Sequence, residues 1–75
     1  MNKSIYTNEH KIIIKRLKIA RLALGLNQKQ VSEKLGKTQS YISKIESGQR
    51  RLDIPQLRLF SEIYKKNLDF FFRND

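Results

Sequence analysis

The sequence predicts a single all-α domain. Apolar residues recur at spacings of three and four along short segments, the signature of one-sided helices. Each segment is bounded by residues that cap or stop a helix. No stretch alternates apolar and polar residues as a half-buried strand would.

Residues 1–7 carry no periodic pattern and are expected to form an N-terminal arm, with the domain over 8–75. The first helix is expected from Asn8 to Leu24. Ile13, Leu17, Ala20 and Leu24 share one face, and Gly25 stands where a left-handed cap belongs. A second helix is expected over Gln28–Leu35, with Asn27 and Gln30 as a capping-box variant and Val31 and Leu35 inward. Gly36 stops it. A third is expected over Gln39–Ser47, with Thr38 as its cap and Ile42 and Ile45 as its inward stripe. The fourth spans Ile54–Tyr64, where Asp53 caps, Gln56 stands third, and Pro55 is tolerated in the first turn. Its apolar face is Leu57, Phe60, Ile63 and Tyr64. Asn67 opens a short fifth helix holding Leu68, Phe70, Phe71 and Phe72.

With 75 residues the chain is long enough for one small core. Sixteen Lys and Arg against seven Asp and Glu give a net charge of +9, which favours polyanionic partners, nucleic acid first and anionic lipid second. There is no cysteine, so a disulfide framework and thiolate zinc sites are excluded, and a reducing, cytoplasmic setting fits. No apolar run approaches the ~20 residues that span a bilayer. The Ile12-Ile13-Ile14 run is hemmed by Lys11, Lys15 and Arg16, unlike the core of a signal peptide. His10 is the sole histidine and has no second metal ligand near it. Catalytic triads, paired carboxylates and Gly-rich phosphate loops are all lacking, so neither an enzyme nor a cofactor or metal is expected.

The informative stretch is QKQVSEKLGKTQSYISKIES, residues 28–47. Two short helices flank a tight turn at Gly36-Lys37-Thr38, which sets the second steeply across the first. Gln39, Ser40, Ser43, Lys44 and Ser47 then share the outward face of the third helix. That face lacks large apolar side chains and acids, and its short hydroxyls permit close approach to base edges. Gln39 can pair bidentately with adenine, and Lys44 can reach guanine or a phosphate. An ordinary solvated helix face is the other reading of the same residues.

Residues 12 to 72 resemble the Cro/C1-type (Xre) helix-turn-helix regulators. The resemblance rests on Arg21, Gly25-Leu26-Asn27-Gln28, Val31, Leu35-Gly36, Thr38-Gln39, Ile42-Ser43, Ile45-Glu46 and Gly48 at matching separations. Ser40-Tyr41-Ile42-Ser43 is also similar to the controller proteins of restriction–modification systems. The resemblance implies a compact five-helix lambda-repressor-like domain. It implies base-facing roles for Gln39, Ser40, Ser43 and Lys44, a phosphate contact for Gln28, and a partly buried ion pair between Arg21 and Glu46. The pair has its own rationale, since Arg21 sits amid an apolar face and needs a partner. Three departures stand out: Ser32 replaces the usual Ala, Lys37 a buried aliphatic residue, and Lys65-Lys66 the usual Gly-Val.

The residues expected on the phosphate backbone are Asn27, Gln28, Lys37, Thr38, Tyr41, Arg50 and Arg51. For Arg50 and Arg51 the alternative is a solvated charge run, and for Tyr41 packing on its own scaffold. Phe70 and Phe72 are expected at a two-fold dimer contact, against the alternative that all three rings fold onto the core. The function implied is a sequence-specific regulator, repressor or autoregulator, that binds double-stranded DNA as a homodimer in the major groove at a pseudo-palindromic operator. No membrane and no small-molecule ligand are expected. The alternative is an antitoxin-type protein-interaction module that also binds its own operator.

Overall fold

A computed structural model describes residues 7–73. Over them the chain forms four α-helices, α1 (Asn8–Ala23), α2 (Gln28–Leu35), α3 (Gln39–Glu46) and α4 (Ile54–Tyr64), followed by a 3-10 helix, Leu68–Phe72. No strand occurs among the described residues. Apart from Thr7, the expected N-terminal arm lies outside the described residues.

Each helix begins where its capping residue places it. Thr7, expected in the arm, is the cap of α1 and accepts from the His10 amide at 3.2 Å. Asn27 and Gln30 close a reciprocal capping box at α2, as Asp53 and Gln56 do at α4, so two otherwise unpaired amides are satisfied at each start. Thr38 accepts from the Tyr41 amide at 3.1 Å and fixes the first turn of α3. The turn from α2 to α3 runs through Gly36 at φ 69°, a left-handed conformation in which a Cβ would be strained. α4 ends differently: Lys65 adopts φ 58°, a left-handed conformation that glycine takes without strain.

Leu17 and Ala20 of α1, Val31 of α2, Ile42 and Ile45 of α3, Leu57, Phe60 and Tyr64 of α4, and Phe71 make one buried core. Leu35 and Ile63 pack against it half-buried. Ser32 is buried where α2 meets its neighbours, its hydroxyl donating to the Lys29 carbonyl at 2.7 Å.

Three expectations need correction. Leu24 does not face the core: α1 ends at Ala23, Leu24 is its exposed C-cap, and Leu26 packs against the core beyond the turn. α3 ends at Glu46, with Ser47 as its cap. The fifth element is a 3-10 helix, because five residues offer too little length for an α-helix to form its repeating bonds.

Candidate nucleic-acid interface

α3 is buried on one side and bare on the other. Ile42 and Ile45 are fully buried, whereas Gln39, Ser40, Ser43 and Lys44 are all exposed. The side chains of these four make no hydrogen bond or ion pair among the described residues, so their polar groups are available to a ligand. With Gln28 and Gln49 they line a shallow, open concavity. Gln49 was missed in the sequence, since a loop residue just past Gly48 has no periodicity to betray it. Its amide donates to the Lys44 carbonyl at 2.9 Å, which holds the loop against the end of α3.

The scaffold beneath is anchored by a charge network. Arg21 Nε donates to Glu46 Oε2 at 2.7 Å and Nη2 to Oε1 at 3.0 Å, a bidentate pair, while Nη1 donates to the Leu26 carbonyl at 2.9 Å. Both side chains are at most 10% exposed. The hydrogen bond to Glu46 holds the Arg21 guanidinium above its ordinary pKa, against the opposing effect of burial. Gln28 Nε2 also donates to Glu46 Oε1, at 3.1 Å. Gln28 therefore has a structural task besides the phosphate contact expected of it. One carboxylate joins α1, the start of α2 and the end of α3. Next to it lies Tyr64, whose hydroxyl is buried and finds no hydrogen-bond partner among the described residues. Burial raises its pKa well above the tyrosine norm, the Glu46 charge adds to the rise, and Arg21 opposes it.

A second cluster surrounds Tyr41. The Lys37 ammonium lies 5.3 Å and the Arg50 guanidinium 4.9 Å from its ring centroid, both within cation–π range. The Tyr41 hydroxyl accepts from Gln56 Nε2 at 2.7 Å, which ties α3 to the start of α4. The ring thus packs on its scaffold, and its hydroxyl hydrogen is left to donate elsewhere. Lys37 and Arg50 both lie beside the first turn of α3, where the helix dipole is already positive. Arg51 is exposed in the same loop. Asn27 and Thr38 are exposed too, but their side-chain oxygens are occupied by caps.

The aromatic end divides. Phe71 is fully buried and Phe72 is exposed. Phe70, expected at a dimer contact, is engaged within its own chain: it packs edge-on to Phe71, with Arg16 4.1 Å and Lys66 4.9 Å from its ring centroid. Arg16 Nε also donates to the Phe70 carbonyl at 3.0 Å, latching the 3-10 helix to α1. Among the described residues there is no group of three metal-ligating side chains and no helix long and apolar enough to cross a membrane.

Residues 17–71 match the helix-turn-helix family HTH_3. An uncharacterized HTH-type transcriptional regulator of Rickettsia conorii is 33% identical over 58 residues, 77% of this chain and 46% of that protein. Similarly described regulators of Sinorhizobium medicae and Rhizobium meliloti are each 34% identical over 59 residues, 79% of this chain and 42% of theirs. The chain thus spans less than half the length of these relatives. No solved structure matches. An all-helical core, a glycine turn between α2 and α3, and a family match over most of the chain agree: this chain belongs to the Cro/C1-type (Xre) helix-turn-helix family.

Proposed function

We propose that this chain is a sequence-specific DNA-binding regulator of transcription, in which α3 lies in the major groove and reads base edges. The observation that carries this reading is the division of α3 into a fully buried face and an exposed, unpaired polar face led by Gln39. Gln39 on the first turn suits adenine, Lys44 suits guanine, and Ser40 and Ser43 keep the helix slim enough to approach. Lys37, Arg50 and Arg51 supply cations for the flanking phosphates, Gln28 lines the same concavity, and Asn27, Thr38 and Tyr41 complete the proposed backbone contacts.

The chain acts as a homodimer on a pseudo-palindrome with half-sites about one helical turn apart. Exposed Phe72 is the side chain left for a two-fold contact. Regulation is by occupancy, as a repressor or autoregulator working in the cytoplasm. Selection of bound duplexes from a random pool tests this reading. The expected result is an enriched inverted repeat, bound ~10³-fold or more above random duplex. Recovery of no motif would leave only charge-driven binding and refute sequence reading.

A further inference from the structure

A second concavity lies away from the polar face of α3. It runs along α1 from His10 to Leu22 and is closed on its far side by the end of α3 at Ser47 and Gly48, enclosing about 450 Å³. Twelve residue steps at the helical rise make it ~18 Å long. It is an elongated trough, suited to an elongated occupant. Its floor is apolar: Ile14 is half-buried, and Ile19 and Leu22 are 40% and 59% exposed. Apolar side chains so exposed and contiguous on a highly charged chain mark an interaction surface. Lys11, Lys15 and Lys18 border them. The one acid in the lining, Glu46, is already engaged by Arg21 and Gln28. The trough therefore presents an apolar floor with an uncompensated positive rim.

We propose that this trough docks an acidic amphipathic α-helix of a partner protein. Such a helix would lay residues at i, i+3, i+4 and i+7 onto Ile14, Ile19 and Leu22 and set its carboxylates against the three lysines. Charge decides against a second copy of the chain, because two-fold pairing through this face would oppose lysine to lysine. The apolar floor decides against a nucleic-acid backbone, which offers nothing to bury there.

The test uses the full chain, isotopically labelled for amide NMR. The probe is a synthetic peptide of about four helical turns, with leucines on one face and glutamates flanking them. The control has the same composition with the leucines scrambled around the helix. The expected result is that amides of α1, Ser47 and Gly48 shift with the probe, and that the control binds at least about tenfold more weakly. Lys15→Glu/Lys18→Glu weakens the probe by about tenfold or more while leaving the melting temperature in place, since both side chains are exposed. Leu22→Asp weakens it as much while keeping the dispersed amide spectrum of the folded chain, although an aspartate in the last turn of α1 opposes the helix dipole and lowers the melting temperature somewhat. The proposal is overturned by equal binding of the scrambled control, by shifts centred on Gln39–Lys44, or by no binding at millimolar peptide. It is equally overturned if Leu22→Asp abolishes self-association in sedimentation, or if anionic vesicles or duplex DNA shift the trough amides as the probe should.

Discussion

Among the described residues, replacing Glu46 with Leu removes two of the three acceptors that hold the Arg21 guanidinium and the one acceptor of the Gln28 side-chain amide. Arg21 keeps the Leu26 carbonyl and a side-chain exposure of 10%, so the charge stays inside with one partner. Stranding a buried charge in this way costs ~3–5 kcal/mol. A 75-residue chain has a total stability of about 4–11 kcal/mol at typical values per residue. Glu46→Leu is therefore expected to lower the melting temperature by roughly 12 °C or more. Arg21→Met should do nearly as much by leaving the carboxylate unpaired. The double change Arg21→Met/Glu46→Leu replaces both charges with apolar groups and should recover most of the loss, giving a coupling of at least about 3 kcal/mol in the cycle. Urea and thermal unfolding followed by helical circular dichroism measure all four species. Additive losses, or a cost under ~1 kcal/mol for either single change, would refute the assignment of a buried pair that ties the helices together.

Tyr64→Phe removes a buried hydroxyl without a partner and is expected to hold or raise stability, by up to ~1 kcal/mol, in the same unfolding assays. It also tests a pH dependence. The folded state holds the Tyr64 pKa above its unfolded value of 10.0, so this contribution is intact below pH 10 and is lost as pH rises beyond it. The variant should lack that share of alkaline destabilisation. Lys65→Gly relieves a left-handed non-glycine residue at the end of α4 and should raise stability by ~0.5–1 kcal/mol. Gln39→Ala should weaken binding to the selected duplex by ~1–3 kcal/mol and relax preference at one base pair, as read by competition among single-base variants. Arg50→Ala should weaken all duplexes alike and reduce the slope of log K against log salt by ~0.9.

Local chemistry made much of the fold legible. Both capping boxes, at Asn27–Gln30 and Asp53–Gln56, follow from residues three apart, and the core of α1 to α4 follows from apolar spacing. The polar face of α3 was readable for the same reason: Gln39, Ser40, Ser43 and Lys44 lie opposite Ile42 and Ile45. What escaped depends on contacts between distant segments. Nothing local announces that Gln28 bonds Glu46, that Gln56 reaches the Tyr41 hydroxyl, or that Arg16 clasps Phe70. Leu24 kept its place in the periodic pattern but lay one residue beyond the end of the helix, where periodicity no longer decides burial. The trough on α1 was hidden because its far wall comes from the end of α3.

The carboxylate of Glu46 grips two neighbours from the inner side of α3, while the side chains of Gln39, Ser40, Ser43 and Lys44 hold nothing among the described residues. Orientation and vocabulary are thereby carried by different atoms of one short segment. If that outer face reads bases as proposed, a lineage could rewrite the letters it recognises and keep the same chassis, since such exchanges disturb no internal bond. Drift at the inner residues has no such freedom, for it would misaim every letter at once.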